Sequence, residues 1–239
     1  MNILITNDDS IGARGIKVLE RTLRPFGTVY VVAPAVPQSG MSTAVNLGAK
    51  RIDSVKHSDT IFEVNATPAT CIKYGINMIP VQFDVVVSGI NHGNNASSAA
   101  LYSGTIGGAI EGTLYGIPSI AVSLDDVSPD ADFSYVEEQF PDIFRKFLQW
   151  SKSAPKGTYW NVNFPKGKPL GCKFGHMGPG HWVREFEIVD GKLVILGDFC
   201  DDTPAEDRLA DHHIIKDGYI AIVPNSTDLT NYEVLHNCR

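Results

Sequence analysis

The sequence has 239 residues and a formal net charge of −7 at pH 7, with histidine taken as neutral. This acidic balance argues against a polymeric nucleic acid as partner, because proteins that bind nucleic acids usually carry a basic patch or stripe. The length suits one large α/β domain with a sizeable core. No apolar run approaches the ~18 residues that a membrane span requires, so we expect no membrane insertion.

The four cysteines show no CxxC spacing. Met1 leads directly into an apolar run, without the basic and apolar regions that mark a secretion signal. We therefore expect a cytoplasmic protein with reduced thiols.

The first informative stretch is an N-terminal strand followed by an acidic turn. Asn2 to Thr6 is a short apolar run, as expected for a strand buried on both faces of a parallel sheet. Asp8 and Asp9 follow, at the end of the strand where open α/β sheets bind ligands. Such residues also form ordinary turns, but adjacent carboxylates repel each other unless a cation neutralises them. Oxygen ligands suit a hard ion, Mg²⁺ or Mn²⁺.

The next segment predicts a β-α-β unit. Apolar residues spaced three and four apart favour a helix over residues 16–26, and Thr28 to Ala33 is a second β-rich run. The loop over residues 34–46 leaves the carboxyl end of that run. It is either an ordinary surface loop or part of the same crevice as the acidic pair. In the second case, the Ser39 hydroxyl could complete a metal's oxygen shell.

A second stretch of strands and a helix follows. Residues 47–65 predict a hairpin or two short strands. Thr67 and Pro68 are typical of the N-cap and first position of a helix, which we expect to run to about Met78.

A third buried strand is predicted at Phe83 to Val87, and a polar stretch over residues 88–95 follows its carboxyl end. Asn91, in this stretch, offers an amide oxygen at the same predicted edge of the sheet as the acidic pair.

A glycine-rich segment over residues 102–109 opens a helix that we expect to end near Gly116. A helix N-terminus presents unpaired N–H groups and a positive dipole end to an anion, and the hydroxyls of Ser103 and Thr105 could add donors. The alternative is an N-cap followed by close helix packing at glycine. No Walker A lysine follows, so this is not a P-loop.

The rest of the chain predicts further sheet and helix, then hairpins that project from the core. The expected elements are strands over residues 117–123, 160–165 and 218–224, a helix over 132–150, and hairpins over 171–199. We expect the acidic stretch over residues 201–211, with His212 and His213, to form a solvated loop. Two adjacent histidines make a weak metal site without further ligands.

The loops after the strands are more informative together than singly. Two carboxylates, one hydroxyl and one amide oxygen would leave positions for water and a phosphate oxygen around a metal ion. That arrangement is typical of a hydrolase, whose ion polarises the phosphoryl group and lowers the pKa of a bound water.

Six stretches, in this order, resemble the stationary-phase survival protein SurE family of metal-dependent 5′/3′-nucleotidases. They are ILITNDDS, VVAPAVPQSG, ATPATC, VVVSGINHGNN, LYSGTIGGAIEG and GYIAIVP. The resemblance covers most of residues 1–124 and returns near 161–165 and 218–230.

The resemblance implies hydrolysis of nucleoside monophosphates, with the 5′ ester expected first and the 3′ ester as the alternative, and with one divalent ion, Mg²⁺ or Mn²⁺. By this resemblance, the metal ligands of the family correspond to Asp8, Asp9, Ser39 and Asn91. Of these, Asp8, Asp9 and Asn91 would be catalytic. The family's phosphate-binding residues correspond to Asn95, Ser103, Gly104 and Thr105.

The resemblance also implies a fold and an assembly. We expect one α/β domain over residues 1–239, with a Rossmann-like three-layer core and a mostly parallel sheet. The core would span about 1–165, a β-hairpin arm used in oligomerisation about 166–215, and a return to the core about 216–239. Family members are dimers or tetramers that exchange such arms, so we expect a homodimer or homotetramer.

Two other classes of protein remain possible from the residues. A receiver-like phosphoacceptor module also holds Mg²⁺ on paired acidic residues after its first strand, but it needs a third Asp after the third strand, where this chain has none. A non-catalytic nucleotide-binding module would leave the predicted metal site without a purpose.

Overall fold

The computed structural model describes residues 1–48 and 51–238. Its helices are α1 (Arg14–Leu23), α2 (Pro68–Met78), α3 (Gly104–Leu114), α4 (Ser134–Ser153), α5 (Asp211–Lys216) and α6 (Tyr232–Asn237). Short 3₁₀ helices lie at Arg24–Phe26 and Ser97–Tyr102. Within the described residues, no helix combines the length and apolar character needed to cross a bilayer.

Among the described residues, the strands form one large sheet and two small two-stranded sheets over residues 180–201, which are called the arm below. They are β1 (Asn2–Thr6), β2 (Thr28–Pro34), β3 (Ser54–Lys56), β4 (Ile61–Val64), β5 (Val85–His92), β6 (Ser119–Leu124), β7 (Thr158–Phe164), β8 (Cys172–Phe174), β9 (Gly180–Val183), β10 (Phe186–Val189), β11 (Lys192–Ile195), β12 (Asp198–Asp201) and β13 (Ile220–Ser226). Across the described residues, the large sheet has the order β3-β4-β2-β1-β5-β6-β7-β13-β8.

The centre of the sheet is parallel. Strands β4, β2, β1, β5, β6 and β7 run parallel to their neighbours, whereas β3 is antiparallel to β4 and β13 is antiparallel to β7. The chain builds outwards from β1 through β2 to β4, and then returns to place β5 on the other side of β1. The strand order therefore reverses between β1 and β5, and ligands bind at such a switch point in open α/β sheets.

Alternating side chains of each strand enter the two cores that flank the sheet. Ile3 and Ile5 pack in one core with residues of α1 and α4, whereas Leu4 packs in the other core with Ile72 of α2. Burial on both faces explains why the central strands are continuous apolar runs rather than alternating ones. The expected α/β fold with three layers and a mostly parallel sheet is confirmed.

Most elements lie where the sequence predicts them. Strand β5, which corresponds to the buried strand predicted at Phe83 to Val87, extends further than expected. It continues through Asn91 to His92 instead of ending at Val87, because a shift in register between Ser88 and Asn91 lets the strand keep its pairing with β6. The first residues of the polar stretch expected after this strand therefore form its irregular end. The hairpin expected within residues 47–65 is confirmed as β3 and β4, and residues 49–50 of that prediction lie outside the described residues.

Part of the segment expected to form hairpins joins the large sheet instead. In residues 180–201, β9 pairs with β12 and β10 pairs with β11, both antiparallel. The prediction that all of residues 171–199 form projecting hairpins is wrong at β8, which adds to the edge of the large sheet beside β13.

The predicted solvated loop at residues 201–213 is also wrong at its C-terminal end. Residues from Asp211 onwards form α5, with Asp211 fully buried and His213 8% exposed. The cause is local packing, since Ile214 and Ile215 contact Ala221 of β13. Helix α6 was not predicted from the sequence.

Candidate active site

Asp8 and Asp9 lie at the switch point, immediately after β1. The carbonyl oxygen of Asp8 accepts a hydrogen bond of 2.7 Å from the Gln38 N–H, which holds the loop after β2 against the acidic pair. Asp8 is buried, whereas the side chain of Asp9 is 22% exposed. The pKa of Asp8 is raised to about 6: burial is the largest cause, the Thr105 hydrogen bond opposes it, and the charge of Asp9 adds to it.

The glycine-rich segment reaches the same point. The Thr105 hydroxyl donates to Asp8 Oδ1 at 2.5 Å, and Thr105 is fully buried. Gly104 allows this approach, because a Cβ atom there would lie 2.9 Å from Asp8 Cβ and 3.0 Å from its Oδ2. Ser103 is the N-cap of α3, and its hydroxyl accepts from the Ile106 N–H at 3.1 Å. The cap interpretation is therefore confirmed for Ser103, and the phosphate role of these residues stays a prediction.

Asn91 lies near the C-terminal end of β5, at the same edge of the sheet as Asp8 and Asp9. Its Nδ2 donates to the carbonyl oxygens of His92 at 3.2 Å and Gly93 at 2.8 Å. Both bonds use the amide nitrogen, so the Oδ1 atom is the part of the side chain left to serve as a ligand.

His92 is a site residue that the sequence reasoning did not identify. Its backbone N–H donates to Asp9 Oδ2 at 3.2 Å, and its ring Nδ1 lies 3.1 Å from the same oxygen. Both contacts hold the Asp9 carboxylate in place. The only available signal was that His92 follows Asn91 in the polar stretch after the third strand.

Asn95 belongs to a buried polar network beside the site. Its Nδ2 donates to Ser123 Oγ at 2.9 Å, and its backbone N–H donates to Asn163 Oδ1 at 2.7 Å. Asn161 Nδ2 donates to the Asn95 carbonyl oxygen at 2.8 Å. These bonds fix the segment that links β5 to the glycine-rich region, and the role of Asn95 in phosphate binding stays a prediction.

Ser39 lies on the exposed loop after β2, directly after Gln38. The bond between Gln38 and Asp8 brings this loop to the acidic pair, as predicted from the strand order. The structure thus gathers residues from three strand ends and one helix start at a single edge of the sheet.

The donor set fits a hard divalent ion. The predicted ligands are carboxylate, amide and hydroxyl oxygens, which Mg²⁺ and Mn²⁺ prefer. The environment of Asp8 supports the same assignment, because a cation beside two neighbouring carboxylates would offset both the burial of Asp8 and the repulsion from Asp9.

These features define a Rossmann-like α/β protein with an acidic, oxygen-rich site at its switch point. The chain belongs to the SurE family, since residues 3–184 match the family model described as "Survival protein SurE".

Comparisons with individual relatives also indicate membership of the SurE family. The chain is 37% identical to the 5′-nucleotidase SurE of Bacteroides fragilis, covering 98% of this chain and 94% of that protein. It is 38% identical to the 5′-nucleotidase SurE of Cytophaga hutchinsonii, covering 98% and 93%. The crystal structure of the SurE protein from Aquifex aeolicus superposes with a TM-score of 0.85 at 30% identity, covering 99% of this chain and 98% of that one.

Proposed function

We propose that the protein is a 5′-nucleotidase that hydrolyses nucleoside monophosphates to nucleoside and inorganic phosphate. The observation that carries this proposal is the convergence of Asp8, Asp9 and Asn91 on the switch point, next to the N-terminus of α3. The relatives that bear the name 5′-nucleotidase match over nearly the full length of the chain, which supports the same activity.

Asp8, Asp9, Ser39 and Asn91 would hold one divalent ion, Mg²⁺ or Mn²⁺. Such an ion supplies polarisation of the phosphoryl group and a bound water of lowered pKa. The surrounding residues orient these ligands: the Thr105 hydroxyl fixes Asp8, and His92 fixes Asp9. This orientation is the contribution that outer hydrogen-bond partners make in metal sites.

The first turn of α3 is placed to receive the phosphate. Ser103 uses its hydroxyl to cap the Ile106 N–H, so the N–H groups of Gly104 and Thr105 are the remaining donors at the start of the helix. Such donors and the helix dipole favour an anion. With Asn95, these residues form the predicted phosphate-binding set, and local donors are needed because the net charge of −7 offers no general attraction.

A cavity of about 470 Å³ next to the site suits the nucleoside part of the substrate. Gly93 and Asn94 line it on the side of the site, and the aromatic rings of Trp182 and Phe199 line it on the side of the arm. Aromatic rings stack on any nucleobase. A cavity of about 540 Å³ beside Trp150 has no carboxylate in its lining, so it lacks the chemistry for this reaction.

The arm supports a homodimer or homotetramer. Its β10–β11 hairpin exposes apolar side chains, including Ile188 at 74% and Ile195 at 75% exposed. Such a surface marks an interaction site. The family membership supports a cytoplasmic enzyme, and the net charge of −7 supports small nucleotides over a polymeric nucleic acid as substrate.

The test is incubation of the full chain with a nucleoside monophosphate and Mn²⁺. We expect free phosphate over many turnovers, abolished in Asp9→Asn. Stoichiometric phosphorylation of the protein would instead indicate a phosphoacceptor module, and binding without release of phosphate would indicate a non-catalytic nucleotide-binding module. A panel of 5′- and 3′-nucleotides assayed with Mg²⁺ and Mn²⁺ then defines the preferred ester and ion.

A further inference from the structure

A second group of metal-ligating side chains lies where the arm meets the core. Asp201 is the last residue of β12, and His212 and His213 lie in the first turn of α5. His212 Nε2 is 2.9 Å from Asp201 Oδ1, and His213 Nε2 is 2.8 Å from Asp201 Oδ2. Both imidazoles therefore point at one carboxylate from a neighbouring element.

The hydrogen bonds of His213 determine which of its ring nitrogens faces the carboxylate without a proton. His213 Nδ1 lies 2.7 Å from the carbonyl oxygen of Asp207, and a carbonyl oxygen only accepts, so Nδ1 must donate. A neutral His213 then directs the lone pair of Nε2 at Asp201 Oδ2. A proton on Nε2 satisfies this contact, and a metal ion bound to both atoms would satisfy it after a small increase in their separation.

The outer contacts of this cluster are those of a metal site. Metal-ligating histidines almost always donate their other ring N–H to a backbone carbonyl or a carboxylate. His213 has the Asp207 carbonyl in that position, and His212 Nδ1 lies 3.4 Å from the buried Asp211 Oδ1. The candidate ligand atoms of Asp201, His212 and His213 all lie within 4.8 Å of one another.

The ligand types indicate the class of metal. Two imidazoles and one carboxylate suit a borderline ion such as Zn²⁺, whereas the all-oxygen site at Asp8 and Asp9 suits a hard one. A cavity of about 290 Å³ borders Asp201, Thr203 and His213, so a water molecule has room to complete the coordination.

We propose that Asp201, His212 and His213 bind a zinc-class transition-metal ion that fixes the base of the arm to the core. The ion would join β12 to α5, two elements separated by the segment over residues 202–210. The site uses none of the residues proposed to bind the catalytic ion or the phosphate, but Asp201 and His212 also line the cavity proposed for the nucleoside. Zinc content and thermal unfolding, measured without nucleotide, therefore test the metal site separately from the proposed function.

A neighbouring cluster provides the matched control. His181, Cys200 and Asp202 also gather ligand atoms within 4.8 Å of one another. The His181 and Asp202 side chains are 56% and 46% exposed, whereas those of His212 and His213 are 15% and 10% exposed. His212 and His213 lose less conformational entropy on binding an ion than His181 and Asp202, because their side chains are already held, whereas Asp201 is 38% exposed.

The first experiment measures zinc retained by the full-length protein after gel filtration, by mass spectrometry of the metal. His213→Asn keeps a donor for the Asp207 carbonyl and removes the Nε2 ligand. We expect this variant and Asp201→Asn to retain one zinc fewer per chain than the wild type, with Cys200→Ser and Asp9→Asn retaining the additional zinc. Removal of a direct ligand should weaken zinc binding by more than the ~10–100-fold typical of losing an outer partner.

The second experiment measures thermal unfolding with Zn²⁺ and with a chelator. At a zinc concentration ~100 times the Kd, we expect Tm to rise by about 5–10 °C in the wild type and in Asp9→Asn. The rise should be smaller by this amount in His213→Asn and in Asp201→Asn than in the wild type. Asp201 is the more exposed residue of the two, so its variant checks that the loss is not caused by misfolding of His213→Asn. Equal zinc content and equal Tm shifts in the wild type and both variants would overturn the proposal, as would loss of the zinc in Cys200→Ser.

Discussion

The carboxyl group of Asp8 lies in surroundings that disfavour its charge. Burial is the largest effect and raises its pKa to about 6, while Thr105 opposes this by donating to the carboxylate. The usual value in an unfolded chain is close to 3.8. The folded protein therefore binds more protons than the unfolded chain between about pH 4 and pH 6, and ionisation of Asp8 destabilises the metal-free fold as pH rises through this range.

Asp8→Asn should accordingly stabilise the metal-free protein. The difference in the Asp8 pKa between the folded and unfolded states predicts a gain in the free energy of unfolding of about 3 kcal/mol at pH 8. This gain should fade to none as the pH falls to about 4 and Asp8 becomes protonated in both states. Asn still offers an oxygen to the Thr105 hydroxyl. Denaturant unfolding in chelator at both pH values measures the gain, and nucleotide turnover by the same variant should be abolished. A variant less stable than the wild type at pH 8 would contradict this account.

The Thr105 hydroxyl is expected to act through Asp8. Thr105→Val keeps the side-chain shape but removes the donor to Asp8 Oδ1, so it should raise the Asp8 pKa and weaken binding of the cation. We expect the Mn²⁺ concentration for half-maximal turnover to rise by about 10–100-fold. Thr105→Ser restores the hydroxyl and should recover most of the wild-type dependence on Mn²⁺. Unchanged Mn²⁺ dependence in Thr105→Val would show that the hydroxyl does not tune the metal site.

At the scale of elements, α3 holds its position because glycines let backbone and side chains approach it closely. A Cβ atom at Gly107 would lie 2.0 Å from the Ser42 carbonyl oxygen, and one at Gly108 would lie 2.8 Å from Ser88 Oγ. The Ser42 N–H and hydroxyl also bond to carbonyls of the segment before α3, at 2.9 and 2.7 Å. The helix N-terminus and the loop that carries Ser39 are thereby fixed to each other.

Gly107→Ala should displace this loop, since the obstructing atom belongs to the backbone and cannot rotate away. We expect a loss of stability of about 1–3 kcal/mol, as for other overpacked sites, together with lower turnover. Gly12→Ala is the control, because the nearest atom to its added Cβ is Ser10 Oγ at 3.8 Å. Chemical denaturation and steady-state kinetics measure both effects. Equal stability of the two variants would contradict this prediction, because it would show that the loop at Ser42 can move away from an added Cβ atom without loss of stability.

The elements that sequence reasoning predicted correctly have local causes. Strand β1 is a continuous apolar run, and α2 begins at Pro68 behind a Thr67 side chain that accepts from the Thr70 N–H. The errors have non-local causes. The end of β5 stays a strand through its pairing with β6, and α5 folds because Ile214 and Ile215 meet β13. Neither contact is visible in a local pattern.

At the scale of the whole molecule, the site depends on strand order. Asp8, Ser39 and Asn91 are far apart in sequence, and the prediction that they meet rests on the parallel strands whose ends share one edge of the sheet. The contacts that specify the geometry could not be predicted in this way. The bonds from Thr105 to Asp8 and from His92 to Asp9 depend on side-chain placement across the switch point.

The arm is expected to control assembly because it exposes apolar side chains, which no other described residue of the chain covers. Ile188 and Ile195 lie on β10 and β11 and are 74% and 75% exposed. Changing both residues to Lys places two charges on this surface, which should prevent its burial against a second copy of the chain. Size-exclusion chromatography with light scattering should then show a smaller assembly. Leu229→Lys is the control, because Leu229 is 87% exposed but lies outside the arm. Circular dichroism confirms that the variants remain folded. An unchanged mass for the arm variant would place the interface elsewhere on the molecule.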